Sequence, residues 1–85
     1  MELKKLEQGE FEIITDNYII YICKEQNPDT KHYLYFVDVF EINSTFSIDN
    51  RDEVYDSEVF DDLIQAVEYI NNNYTITKKI YNKLI

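Results

Sequence analysis

The chain has 85 residues, of which 17 are Asp or Glu and eight are Lys or Arg, so its formal net charge is −9. This charge excludes binding to nucleic acid or to an anionic membrane through bulk electrostatics, because phosphate groups would repel the protein. Apolar residues make up 45% and aromatic residues 15%, far above the content of an acidic disordered tail. The composition therefore predicts one small folded domain over residues 1–85.

The first half of the chain is dominated by strand patterns. Residues 1–9 are charged and weakly patterned, and we expect a flexible or helical lead-in that ends at the only glycine, Gly9. The alternation over residues 10–15 predicts a half-buried strand, and the Asp-Asn pair at 16–17 favours a tight turn. Residues 18–24 are β-branched and aromatic on both faces, which predicts a central strand.

The strongest strand pattern covers residues 32–42 and follows a turn around Pro28. Asp38 lies on the more apolar of its two faces, where an unpaired buried carboxylate would cost several kcal/mol. We expect Asp38 to be exposed at a sheet edge, although a bulge or a lysine of the C-terminal segment would also satisfy it. Tyr33 and Tyr35 lie on the other face, which Tyr21 of the neighbouring strand shares in one register.

Helical periodicity follows an acidic linker. Apolar residues recur at spacings of three and four from Phe60 to Tyr74, which predicts one face of an α-helix. Asp61 and Asp62 are positioned to cap its first turn, and three consecutive asparagines before Tyr74 predict its end. In residues 74–85 the apolar residues from Ile80 onwards favour a short second helix, while residues 75–77 favour a strand, so both structures remain open for this segment.

These elements, with weaker strand fragments at residues 45–48 and 54–55, define the expected fold class. We predict an α+β domain, an antiparallel β-meander of three to four strands with one main C-terminal helix packed on one face. A short second helix at the C-terminus completes it.

The negative charge is concentrated in one part of the sequence. Residues 1–68 carry all 17 acids and five bases, a net charge of −12, whereas residues 69–85 carry three lysines and no acid. Seven acids fall within residues 49–62, where Arg51 is the only base. Like charges at this density repel one another, so a solvated loop and a surface for a partner are both consistent with them.

No pattern of catalytic or metal-binding residues stands out. The acidic segment fails the calcium-loop spacing at Arg51, Val54 and Phe60, which leaves only a looser cation site as an alternative. The single histidine, His32, has no nucleophile placed with it, and we expect it to be structural or at the surface. The single cysteine, Cys23, is expected to fill space in the core. We predict no enzyme, no cofactor and no metal site.

The sequence also indicates a compartment. One cysteine allows no internal disulfide, which fits a reducing environment. No secretory signal and no apolar run of about 18 residues is present. We therefore expect a cytoplasmic protein, in the host cell if its source is a virus.

The surface itself favours a binding function. A rigid anionic domain presents carboxylates as DNA presents phosphates, so it can occupy the basic groove of a host nuclease or other nucleic-acid-binding protein. In size, acidity and preference for residues with AT-rich codons, the chain resembles the small inhibitors of phages and mobile elements, such as anti-CRISPR and anti-restriction proteins. The predicted partner-binding residues are Asp49, Asp52, Glu53, Asp56, Glu58, Asp61, Asp62, Tyr33 and Tyr35.

A second function remains open from sequence alone. A homo-oligomeric structural or regulatory module without catalytic activity would bury an apolar sheet face or the edge at residues 54–55 across a two-fold axis. In that case the acidity would serve solubility only.

Overall fold

An antiparallel sheet carries two helices on one of its faces. The computed structural model describes residues 1–6, 9–42 and 54–85. In chain order the elements are β1 (Glu2–Lys5), β2 (Phe11–Ile14), β3 (Tyr18–Gln26), β4 (Tyr33–Glu41), β5 (Asp56–Phe60), α1 (Leu63–Tyr74) and α2 (Lys78–Leu84).

The five strands formed by the described residues follow one another across the sheet in the order β1-β2-β3-β4-β5, and every neighbouring pair is antiparallel. This meander confirms the predicted α+β class, with one strand more than expected. β3 lies at the centre, as its two apolar faces predict, and it pairs with β4 over nine residues from Tyr18↔Glu41 to Gln26↔Tyr33. The predicted strand at residues 45–48 lies outside the described residues.

The prediction of a flexible or helical lead-in is wrong for the start of the chain. Residues 2–5 form β1, in register with β2 through pairs such as Leu3↔Ile13. Pairing with a neighbouring strand, which local pattern does not reveal, decides this segment. Gly9 does end the lead-in, in a left-handed conformation at φ 79°. There a Cβ would lie 2.7 Å from the Lys24 side chain, so glycine suits both the turn and the close approach.

Short side chains close the turns between strands. Before the Asp-Asn turn, the Thr15 hydroxyl accepts a hydrogen bond from the Tyr18 backbone N–H at 2.9 Å. In the β3–β4 connection the Asn27 side chain accepts from the Asp29 N–H at 2.9 Å, an Asx turn of the kind that this sequence favours. Both turns fix the register of the strands they join.

The core lies between one sheet face and the two helices. Alternate residues of β2, β3 and β4 point towards the helices and meet the apolar faces of α1 and α2. Burial on this scale supplies most of the stability of a small domain. The core residues are Phe11, Ile13, Ile20, Ile22, Val37, Val39, Ala66, Val67, Ile70, Ile76, Ile80 and Leu84.

α1 begins at Leu63, three residues later than a helix that starts at Phe60 would. Phe60 ends β5 instead, and Asp62 is the N-cap, where its side chain accepts a hydrogen bond from the Gln65 N–H at 2.8 Å. The helix continues through the asparagines to Tyr74 and ends at Thr75, which adopts the left-handed conformation at φ 52°. Tertiary burial of Ile70 and Tyr74 against the core extends the helix past residues of poor propensity. α2 confirms the predicted second helix.

The second sheet face carries no helix among the described elements, and we call it the open face. Asp38 lies on it, on the interior strand β4 rather than at a sheet edge, in a register that runs unbroken through Tyr21↔Asp38 and Asp38↔Ser57. It accepts a hydrogen bond from the Ser57 hydroxyl at 2.8 Å, so neither a bulge nor a C-terminal lysine is involved. Because Tyr21 pairs with Asp38, it shares this face and not that of Tyr33 and Tyr35.

Cys23 also lies on the open face, half-buried, and not in the core that was predicted for it. Burial raises the pKa of its thiol, with a further contribution from the nearby Glu10 carboxylate. It lines a small cavity of about 270 Å³ with Tyr21, Asp38 and Phe40. A raised pKa lowers the thiolate fraction, so this cysteine is a weak nucleophile.

Candidate functional site

The predicted acidic surface divides into parts with different surroundings. Asp49, Asp52 and Glu53 lie outside the described residues. The other four predicted carboxylates belong to β5 and to the corner that joins β5 to α1. They are Asp56, Glu58, Asp61 and Asp62.

The Asp56 carboxylate is half-buried and accepts hydrogen bonds from two tyrosines of α1. It lies opposite Val39 in the sheet and so points to the side that the helices cover. The hydroxyls of Tyr69 and Tyr74 both donate to its Oδ2 atom, that of Tyr74 at 2.7 Å. The hydrogen bond from Tyr69 is the main reason that the pKa of Asp56 lies below its usual value.

The same contacts change the acidity of the tyrosines. The hydrogen bond to Asp56 raises the pKa of Tyr69 to about 12, and burial adds to the effect. Burial, followed by the hydrogen bond to Asp56, raises the pKa of Tyr74 as well. Both hydroxyls therefore remain protonated donors across the physiological range, and the carboxylate remains charged.

Aromatic rings surround this carboxylate. The Tyr18 ring lies 5.0 Å from that of Tyr74 and 5.2 Å from that of Tyr55, between centroids. The rings of Phe60 and Tyr69 are also 5.2 Å apart. We call Tyr18, Tyr55, Tyr69, Tyr74 and Asp56 the tyrosine cluster. It ties β5 and the first residue of β3 to α1, a structural role that the sequence pattern did not reveal.

The α1–α2 contact repeats this chemistry on a smaller scale, since the Tyr81 hydroxyl donates to the Glu68 carboxylate. The carboxylate raises the pKa of Tyr81 by stabilising the neutral phenol. In this way the fold uses neutral hydroxyls as donors to carboxylates, and such donors satisfy a carboxylate without cancelling its charge.

Four of the other predicted residues meet in a groove at the other end of β5. Tyr35 pairs with Phe60, and the next two residues of the chain are Asp61 and Asp62, so the sheet register carries both carboxylates beside β4. Tyr33 lies two residues before Tyr35 on the same side of the strand. The groove, which we call the tyrosine–aspartate groove, has a volume of about 470 Å³ and is lined by His32, Tyr33, Tyr35, Asp61 and Asp62.

The groove combines aromatic surface with charge. Asp61 and Asp62 are both exposed, and Tyr33 is 47% exposed. Tyr35 is half-buried, with its ring packed against the core. Glu58, on β5 opposite Val37, is exposed but lies outside the groove lining. Four of the six described residues predicted from sequence thus lie together, while Asp56 and Glu58 do not join them.

Two groups at the groove were not predicted. His32 is exposed, as expected for a surface histidine, and also lines the groove. The Lys24 ammonium lies over the Tyr33 ring, 4.2 Å from its centroid, in cation–π geometry. In the β3–β4 register Lys24 pairs with Tyr35, so Tyr33 is its diagonal neighbour on the same sheet face. Sequence spacing alone does not indicate this contact.

The sequence left open a looser cation site as an alternative. Within residues 1–6, 9–42 and 54–85, no three His, Cys, Asp or Glu side chains converge as metal ligands would. Neither of the two described helices combines the length and apolar character needed to cross a bilayer.

Comparisons of the chain with protein-family models, with curated proteins and with solved structures find no match.

Proposed function

We propose that this protein is a small acidic binding protein that occupies the basic groove of a nuclease or other nucleic-acid-binding protein and thereby mimics DNA. Inhibition of a host defence nuclease, as by anti-CRISPR or anti-restriction proteins, is the biological role that fits this chemistry. The proposal has the protein act in the cytoplasm, where such partners work, without catalysis of its own.

One observation carries the proposal: the described carboxylates that accept side-chain hydrogen bonds accept them from neutral hydroxyls. Asp38 is bonded by Ser57, Asp56 by Tyr69 and Tyr74, and Glu68 by Tyr81. These donors fix the carboxylates in place while the negative charge remains. Negative charges that are fixed in place and not cancelled add to the negative potential that a DNA-binding groove is built to attract.

The distribution of lysines supports the same function. The three lysines of the C-terminal segment lie on or next to α2, where Lys78, Lys79 and Lys83 are exposed. The carboxylates of β5 and of the corner before α1 belong to a different part of the fold. The molecule therefore has an acidic region that would attract a basic groove and accelerate the encounter of the two proteins.

Competition with DNA tests this function. Two purified nucleases with open basic grooves, a restriction endonuclease and an RNA-guided nuclease, serve as probes for binding by the full chain. We expect binding that duplex DNA displaces and that weakens by at least about tenfold between 50 and 200 mM salt. If neither nuclease binds, or if binding is unaffected by salt or by DNA, the proposed function is wrong.

A second candidate, a homo-oligomeric module, is favoured by one observation on the open face. Val59 is 51% exposed there, and Ile14, Ile19 and Phe36 are only half-buried. Apolar side chains in this position are suited to an interface between copies. The molecular mass in solution, measured by light scattering, distinguishes the two candidates. A stable dimer that the variant Val59→Glu dissociates would support the homo-oligomeric module. A monomer at all concentrations would exclude it.

A further inference from the structure

The tyrosine–aspartate groove has the chemistry of a receptor for one kind of side chain. We infer that it receives an arginine of the basic partner, whose guanidinium stacks on Tyr33 and bonds to the carboxylates of Asp61 and Asp62. The presence of an arginine-rich partner rests on the proposed function. The selectivity of the groove for a guanidinium is a property of its own residues.

The first argument is the aromatic wall. The Tyr33 ring is 47% exposed and already has a cation on it, the Lys24 ammonium at 4.2 Å from the centroid. The ring is therefore oriented so that its electron-rich face meets a positive group. An incoming guanidinium takes the second face of the ring or displaces Lys24, whose flexible stem allows it to move.

The second argument is charge complementarity. Asp61 and Asp62 are exposed at the same groove, and the Asp62 carboxylate uses one oxygen, Oδ1, for the N-cap hydrogen bond to Gln65 N–H. Both side chains line the groove and are exposed, so their carboxylates are accessible to a cation that enters it. A guanidinium has five donors in a planar fork and can bond to carboxylates while its face stacks on a ring.

The third argument is size. A volume of about 470 Å³ far exceeds the space that a metal ion requires, since a water molecule occupies about 30 Å³ in the liquid. No triad of ligating side chains converges anywhere in the described residues. A nucleotide is excluded by the two carboxylates, which would repel its phosphates. A long, planar, cationic side chain satisfies the volume, the rings and the charge together.

A peptide titration with the full chain tests the inference. The probes are a blocked Gly-Arg-Gly peptide and the same peptide with citrulline, which has the shape of arginine without its charge. We expect amide resonances of residues 32–35 and 61–63 to shift with the arginine peptide, and the citrulline peptide to bind at least about tenfold more weakly. Equal binding of the two peptides, or shifts elsewhere in the chain, would overturn the inference.

Paired variants separate the groove from overall charge. The double variant Asp61→Asn/Asp62→Asn removes two charges but retains a side chain able to cap α1. The matched control, Glu2→Gln/Asp16→Asn, removes the same charge from exposed positions on β1 and in the β2–β3 turn. We expect the groove pair to weaken arginine-peptide binding at least about fivefold more than the control pair. An equal effect of the two pairs contradicts a groove-specific site.

Two further variants address the ring. Tyr33→Leu retains an apolar side chain but loses the aromatic face, and we expect it to weaken the arginine peptide by about threefold to tenfold. Lys24→Met removes the competing ammonium and should strengthen binding. Nuclease binding that is salt-sensitive yet unchanged in Tyr33→Leu would sink the inference but leave the proposed function intact. Arginine-selective binding at the groove without any nuclease binding would support the selectivity of the groove and contradict the proposed function.

Discussion

The two ends of β5 place carboxylates beside tyrosines with opposite results. At its start, Asp56 accepts hydrogen bonds from the hydroxyls of Tyr69 and Tyr74. Just past its end, Asp61 and Asp62 are exposed beside the rings of Tyr33 and Tyr35, in the tyrosine–aspartate groove. One set of tyrosines presents hydroxyl groups to the carboxylate, and the other lines a groove with rings.

The difference shows how one residue pair can serve stability or binding. A phenol hydroxyl directed at a carboxylate completes an internal hydrogen bond, so the pair stabilises the fold while the carboxylate keeps its charge. A phenol ring beside a carboxylate leaves both the π-face and the charge available to a third group. The position of α1 decides which arrangement occurs, because both donors to Asp56 lie on that helix.

Removing the Asp56 carboxylate should have the largest effect on stability. Asp56→Ala deprives the hydroxyls of Tyr69 and Tyr74 of their acceptor, and we expect the free energy of unfolding to fall by about 2 kcal/mol. Urea denaturation measures this loss. Asp61→Ala, which removes an exposed carboxylate at the other end, should cost less than about 0.5 kcal/mol. Equal losses in the two variants would contradict the contrast between the two ends of β5.

The pH dependence of stability should follow the same carboxylate. Because the pKa of Asp56 is lowered in the folded state, its contribution is present above the usual aspartate pKa of about 3.9 and is lost as the pH falls through the folded value. The raised pKa of Tyr69 stabilises the protein below about pH 10, and this contribution is lost as the pH rises towards about 12.

Stability measured against pH in Asp56→Asn checks this assignment. The amide does not titrate, so the loss of stability at acid pH that is due to Asp56 should disappear. The tyrosinate absorbance of Tyr69 should appear at lower pH than in the parent protein. If the loss of stability at acid pH and the tyrosinate titration are both unchanged, the carboxylate of Asp56 and the hydroxyl of Tyr69 are not coupled.

A smaller loss than that of Asp56→Ala is expected at the helix cap. Asp62→Ala loses the hydrogen bond to the Gln65 N–H and should destabilise the protein by about 1 kcal/mol, whereas Asp62→Asn should change stability by only a few tenths. Thermal unfolding distinguishes the two variants. If Asn and Ala cost the same, the charge rather than the cap would be the stabilising feature of Asp62.

The sequence predicted most of the architecture because periodicity reports which residues are buried. The pattern of β3 and β4, the apolar face of α1 and the short α2 all follow from residue spacing and are present. β1 was missed because its four residues become a strand only by pairing with β2. The edge position expected for Asp38 is wrong, and the face of Tyr21 was left open, because both depend on the register between strands.

The candidate site was predicted in part. Tyr33, Tyr35, Asp61 and Asp62 were selected from composition and are brought together by the Tyr35↔Phe60 register. Asp56 was selected by the same criterion but is engaged by the tyrosine cluster. Charge density along a chain does not distinguish a carboxylate that faces a helix from one that faces solvent.

By itself the sequence determined the net charge of −9, the α+β class and the absence of any catalytic motif, since these depend on residue identity and local periodicity. Only the tertiary structure decided which carboxylates remain open to a partner. Strand register and the position of α1 set the neighbours of each acidic side chain, and those neighbours are distant in the chain. Val39 and Asp56 pair across β4 and β5, and Tyr74 donates a hydrogen bond to the same carboxylate from 18 residues away.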